Sequence, residues 1–519
     1  MHMQFSIASW TDRVALTLSQ RTGASLAAVM FLLIATSRVL AANQTATVSP
    51  VQLNSTLPYR VEVRPYSMGT VDVPTLHSYA VGQYDGKWLF LSGRTNGLHG
   101  FNGAMPDENF PPGSQNSEVW VLDLANRQTW HRSLDDASAG LSEAVVASLS
   151  PSNTQFYQSG DSLYVTGGYG VDENGDYVTF DTLTAIDLPS LGNWVVNGTG
   201  AAADAVRQIH DPLVKVTGGA MYDVGGRTHL VFGQDYEGAY RPGLNGDYTR
   251  QVRSFDVVDD GASLSIENAA SSTPDDAYRR RDLNIFPILR PTGSGPEQGL
   301  LVLSGVFTPT NGAWTVPVEI DASGNPSMDD PNDPNTFKQG MNNYHSAKLG
   351  LYSEASGAMH EVLFGGISLQ YVDESTGMIV TDDNFPFVND VTSVVIDALG
   401  NYSQHHLGYF PELTDLDGNR IRFGANAEFL LAGGVATFGN GVINLDEIVG
   451  ETVLGHLFGG LAANAPHTRV SVNTLSAASN QVFEIVLIPV SEPGAGALAG
   501  VLLAVLVGVP RGLRATKFR

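Results

Sequence analysis

Arg94, His99, Phe101, Tyr169, Tyr236, Tyr240, Arg241, Trp314 and Tyr371 lie in long polar stretches between apolar runs. His77, Tyr278, Arg279, Arg280, Arg281, Tyr344 and His345 stand just ahead of such runs. Aromatic faces stack on the apolar faces of sugar rings, and an arginine offers two parallel donors that match a uronate carboxylate. Gathered in one place, these residue types would suit carbohydrate recognition. Each also has a plainer reading. Aromatics in large loops pack into small local cores, and the Arg279–Arg281 run has Asp275, Asp276 and Asp282 beside it as ion-pair partners. His77-Ser78 and Tyr344-His345-Ser346 echo one another, as a repeated architecture would produce, or as two histidines facing a common axis would require.

Other chemistries are closed to this chain. It contains no cysteine, which excludes disulfides, thiolate metal sites and cysteine nucleophiles. It has no Gly-x-Ser-x-Gly elbow between a strand and a helix, and no His-Glu-x-x-His helix. Asp415–Asn419 and Asp172–Asp176 resemble fragments of calcium loops. Position twelve counted from Asp415, however, is Asn426, where a bidentate glutamate is needed. Both segments are expected to be hairpin tips, with calcium the lesser alternative, and no cofactor is expected. The formal charge of −25 and pI of about 4.7 leave no basic footprint for nucleic acid.

The elements that position these residues recur along the chain. An apolar strand ending in glycine appears as Trp88–Gly93, Leu163–Gly168, His229–Gly233, Leu300–Gly305, Glu361–Gly366 and Gly455–Gly460. A further strand follows each, as Glu118–Asp123, Leu183–Asp187, Val252–Asp256, Val316–Asp321, Val391–Asp397 and Val482–Leu487. Five of these six end in Asp, which suits a turn. With 56 glycines, 26 prolines and 16% charged residues, the composition favours short strands joined by turns over long helices.

The repeated strands and terminal glycines resemble Kelch repeats over roughly residues 57–490. The resemblance implies an all-β fold, a six-bladed Kelch-type β-propeller. Crowding near the axis of such a ring would call for residues without Cβ. The orphan strand Tyr59–Tyr66 precedes the first complete set, and the last set lacks an outer strand. Pairing of the two would close the ring and hide its edges. Two stacked β-sandwiches are the alternative, and Ala427–Phe438, with its own Leu-Leu-Ala-Gly-Gly run, leaves room for a seventh partial blade. The galactose oxidase family shares Kelch blades, but its cofactor needs a tyrosine crosslinked to cysteine, which this chain cannot supply.

Both ends carry address-like patterns. Residues 1–41 have the features of a secretory signal: Arg21, the apolar run Gly23–Ala35, and small residues at Val39 and Ala41. A retained membrane anchor is the other reading. Residues 42–56 form a linker. Over 491–519, Ser491-Glu492-Pro493 precedes the apolar stretch Gly494–Val509 and a basic end at Arg511, Arg514, Lys517 and Arg519. This tail resembles the PEP-CTERM sorting signal, with Ser491 where that family has its first proline. The resemblance implies export, transient anchoring in the inner membrane and an exosortase-type processing enzyme as a partner.

Turns between first and second strands are short, whereas loops such as Arg94–Ser117, Tyr169–Thr182, Gln234–Gln251 and Ile367–Asp390 are long, so one face is elaborated. The expected function is an exported surface or matrix binding propeller for polysaccharide or another exported protein. Its candidate binding residues are His77, Arg94, His99, Phe101, Tyr169, Tyr236, Arg241, Arg280, Tyr344, His345 and Tyr371. The alternative is an extracellular carbohydrate-active enzyme of mutarotase or lyase type. Its axial site would need His77, Arg94, Arg280 and His345 to converge.

Overall fold

The computed structural model describes residues 48–490, apart from 242, 245, 311 and 468–474, so the leader and the sorting tail lie outside the described residues. The alternating runs become six antiparallel sheets of four or more strands, each built almost wholly from one stretch of chain, and none is a closed barrel. The first sheet is Ala80–Tyr84, Lys87–Leu91, Glu118–Asp123 and Gln128–Ser133. The second to fifth follow the same up-and-down order and open with Gln155–Ser159, Ala220–Val224, Asn284–Thr292 and Ala347–Ser353. The sixth comprises Glu428–Leu431, Thr452–Phe458 and Val482–Pro489, with Tyr59–Tyr66 as its outer strand. The fold is all-β.

The outer strand is added from the other end of the chain. Tyr59–Tyr66 pairs antiparallel with Val482–Pro489 in eight consecutive pairs, from Tyr59 opposite Pro489 to Tyr66 opposite Val482. Alternation drives the side chains of Tyr59, Val61 and Val63 into a core shared with Val362 and Phe364 of the fifth sheet and Ile485 and Leu487 of the sixth. Each such burial contributes roughly 1.5–3 kcal/mol. Val490 then donates its N–H to the Pro58 carbonyl, so both ends leave this sheet at the end that carries the short turns.

Six residues ahead of the innermost strands are linked in a closed circle of backbone hydrogen bonds. Asn153 donates to Ser78 (3.2 Å), Gly218 to Asn153 (3.2 Å), Asp282 to Gly218 (2.8 Å), His345 to Asp282 (3.0 Å), Asn426 to His345 (3.0 Å) and Ser78 to Asn426 (3.2 Å). Five of the six lie in the left-handed region, with φ of 55° at Ser78, 54° at Asn153, 67° at Gly218, 49° at Asp282 and 53° at Asn426. Asn, Asp and Gly tolerate this conformation best, because a short polar group or no Cβ relieves the clash.

The glycines that end the second strands meet a related demand. All six strands end in two successive left-handed residues: Ser92-Gly93, Gly167-Gly168, Phe232-Gly233, Ser304-Gly305, Gly365-Gly366 and Gly459-Gly460. The second position forbids a side chain; a Cβ on Gly366 would meet Ser346 Oγ at 2.2 Å. Where the first position is also glycine it has no room either, since a Cβ would lie 1.9 Å from Val216 O at Gly167, 2.1 Å from Phe423 O at Gly365 and 2.5 Å from Leu76 O at Gly459, whereas the other three sheets carry Ser or Phe there.

Hydrophobic wedges fill the spaces between neighbouring sheets. Leu89, Leu91, Val119 and Val121 of the first pack on Leu163, Val165 and Ile186 of the second. Trp88, Phe90 and Leu122 on the opposite face meet Leu430, Phe458 and Val482 of the sixth. Two short helices, which the composition did not announce, cover part of the first wedge: α1, Glu143–Leu149, and α2, Leu188–Asn197. Asp187 caps α2 through Ser190 N (2.8 Å), Gly198 ends it at φ 66°, and it buries Leu191 and Trp194.

Two expectations are corrected. The Leu-Leu-Ala-Gly-Gly run does not start a seventh set, because Glu428–Leu431 is the inner strand of the sixth sheet. The segment 42–56 is not wholly linker: Val51–Gln52 pairs in parallel with the outer strand of the fifth sheet.

Candidate functional site

The long loops enclose a cleft of about 480 Å³ at one end of the sheets, lined by residues from the loops of all six. One wall is aromatic and comes from the first three sheets. His99 lies 4.6 Å from Tyr240 and 5.1 Å from Phe110, Phe110 lies 5.3 Å from Tyr169, and Tyr169 lies 5.5 Å from Tyr236 (centroid distances). Hydrogen bonds hold these loops together. The buried Asn109 amide donates to Asn102 O (3.1 Å) and Tyr240 O (2.9 Å), and the Tyr169 hydroxyl donates to Gly238 O (2.7 Å). The facing wall is Phe307, Tyr344 and Phe385, with Tyr344 5.7 Å from Phe385. The floor includes Asn153, Gly218, Asp282 and Asn426, four members of the hydrogen-bonded circle.

The cleft holds little net charge despite the acidity of the chain. Arg281 Nη1 meets Asp282 Oδ2 at 2.5 Å, its Nε donates to Tyr248 Oη (3.1 Å), and its guanidinium lies 5.1 Å from the Phe307 ring centre. Burial alone would lower this guanidinium, but Asp282 opposes it first, with Tyr248 and Tyr240, and the guanidinium is raised overall. His99 is pushed down to about 4 by burial and is neutral at pH 7.

A second cavity, of about 790 Å³, lies towards the end that carries the short turns and shares Asn153, Gly218 and Asp282 with the first. It is bounded by the innermost strands and contains a charged trio. His345 Nε2 stands 3.3 Å from Glu428 Oε1, and Lys348 Nζ stands 3.8 Å from Glu428 Oε2. Burial would raise the Glu428 carboxyl, but Lys348 and His345 together hold it below the usual range.

Five of the eleven candidate residues meet in the aromatic cleft: His99, Phe101, Tyr169, Tyr236 and Tyr344. The others do not. Arg94 is buried behind Phe110, 4.5 Å from its ring centre, with Nε donating to Asn96. His77 is buried beside it, bonded through Nδ1 to Ser78 Oγ (3.0 Å) and lowered to about 3, chiefly by burial and then by Arg94. Arg280 is a core residue: it donates to the carbonyls of Ala277, Ser304 and Val316 and stacks on Trp314. Arg241 is exposed, Tyr371 belongs to the hairpin Gln370–Thr381, and neither lines the cleft. His345 faces the second cavity. The four residues of an axial catalytic set therefore do not converge.

Sequence reasoning missed Phe110, Phe307 and Phe385, whose only signal was an aromatic in a long loop, and it missed Lys348 and Glu428, which come from different repeats. The two calcium-like segments are hairpin tips. Asp172 accepts from the N–H groups of Asn174 (2.9 Å) and Asp176 (2.8 Å), and Asp415 from those of Asp417 (3.0 Å) and Asn419 (2.8 Å). Among the described residues no three His, Asp or Glu side chains gather as a metal would require.

No family model and no curated protein matches the chain. Among solved structures, one described as "Structure of YjhT" aligns over 81% of this chain and 100% of its own, at 11% identity and a TM-score of 0.41. At that level the similarity assigns neither fold family nor activity.

Proposed function

We propose that this protein is an exported binding module, a six-bladed Kelch-type β-propeller that recognises polysaccharide through its long-loop face. Six sheets, six left-handed strand ends and the closed circle from Ser78 to Asn426 support the ring, and the pairing of Tyr59–Tyr66 with the last strand supports its closure. The leader-like and PEP-CTERM-like segments support export, surface handling and processing by an exosortase-type enzyme.

The observation that carries the binding reading is the cleft itself. Two aromatic walls stand over a floor of amides and one internally neutralised ion pair, an arrangement that stacks on sugar rings and bonds their hydroxyls. The separation of His77, Arg94, Arg280 and His345 favours binding over catalysis. A glycan array tests the reading: saccharide binding that Phe101→Ala and Tyr344→Ala each weaken about tenfold, without a change in melting temperature, is expected. Absence of binding to any saccharide, together with capture of one exported protein, would transfer the cleft to the protein-recognition reading.

A further inference from the structure

We infer that the cleft reads the ends of neutral saccharide chains and not their interior; this rests on the carbohydrate reading above. The first ground is shape. A groove that accepts the middle of a polymer has two walls and two open ends. Here the loops of all six sheets contribute lining, so the walls run the whole way round and form a well. Its base is the circle of backbone bonds, in which the Asn426 amide also donates to the neighbouring Ser78 Oγ at 2.8 Å. At about 480 Å³ the well is in the lower half of the roughly 300–1,000 Å³ range of small-molecule sites, room for about two sugar rings.

The second ground is charge. A uronate or sulfated unit needs a guanidinium with donors to spare. Of the arginines suggested by sequence, Arg280 spends its donors on carbonyls, Arg94 lies behind Phe110 and Arg241 points to solvent. The arginine that does line the well, Arg281, is already engaged by Asp282 and Tyr248. An anionic sugar would have to break that ion pair and face Asp282, whereas hydroxyl groups can bond to it as it stands.

The test measures binding of the full chain to a panel of neutral glycans of several linkages, each in linear, length-fractionated and cyclised form, beside uronate-bearing chains. Expected are one protein bound per linear chain whatever its length, at least tenfold weaker binding of the cyclised and uronate forms, and loss with Tyr344→Ala but not with Gln158→Ala at the far cavity. Saturation that rises with chain length, binding of cyclised glycans, or preference for uronates would overturn the inference while leaving carbohydrate recognition in place. Failure of every saccharide to bind would overturn both.

Discussion

The two cavities share three residues yet are built from opposite materials. The well has aromatic walls supplied by loops and one ion pair closed on itself. The second cavity is lined by the innermost strands and holds Glu428 between Lys348 and His345 at longer distances. Loops carried on a rigid frame can change side chains freely, because each aromatic packs only on its neighbours. Strand positions also carry the wedges between sheets, so a charge placed there must be compensated on the spot.

The largest effect should come from opening the frame that both cavities share. Removing residues 57–66 strips the eight-pair strand and three buried side chains from the sixth sheet. Its cost, more than about 5 kcal/mol, should leave an insoluble protein or one whose melting temperature falls by tens of degrees. An unchanged melting curve would show that closure contributes nothing.

The next contrast is between a half-buried glutamate and a fully buried one. Glu428→Gln leaves the Lys348 ammonium without its counter-charge and should cost about 2 kcal/mol at pH 7. Because the folded-state Glu428 carboxyl is held low, its contribution is present above the unfolded value near 4.3 and is lost as pH falls through the folded value. Glu361 has the opposite sign. It is fully buried on the second strand of the fifth sheet, and neither carboxyl oxygen finds a hydrogen-bond partner among the described residues. Burial raises it well above the usual range, with Arg290 opposing. The pH-dependent part of its cost is absent below pH of about 4, and stability declines as pH rises from there towards the raised value. Glu361→Gln should therefore flatten the pH dependence of melting and gain about 2 kcal/mol at pH 7; a variant less stable than the parent at that pH would refute the partnerless state.

The smallest effect concerns the margin of the well. Arg241→Ala should change saccharide affinity by less than about twofold and stability by less than about 0.5 kcal/mol, since the side chain is exposed. A tenfold loss, measured by calorimetry, would extend the recognition surface beyond the aromatic walls.

Sequence and structure agree where one local rule governs. The Tyr59–Tyr66 strand was legible because its alternation stood alone with nothing nearby to pair with, and the glycine-ended strands because a Cβ at the second position collides with the segment leading into the same sheet. The circle from Ser78 to Asn426 was less legible, since five of its six members share a left-handed backbone conformation and the six share no side-chain type. The cleft was half legible. Loop length marked the end of the sheets where the cleft opens, with Tyr169 and Tyr236 in its lining, but which arginine lined it depended on a one-residue shift between Arg280 and Arg281. That shift turns one guanidinium into the core and the next towards the cleft. Glu428 and Lys348 come together only through contact between two sheets, and no spacing announces that.

The Val490–Pro58 bond gives the molecule an orientation. Because Val490 leaves the sixth sheet at the short-turn end, a label or fusion partner joined directly after Val490 would start from the end opposite the mouth of the well. Immobilised through that point, the protein should present the well outward, towards whatever passes by.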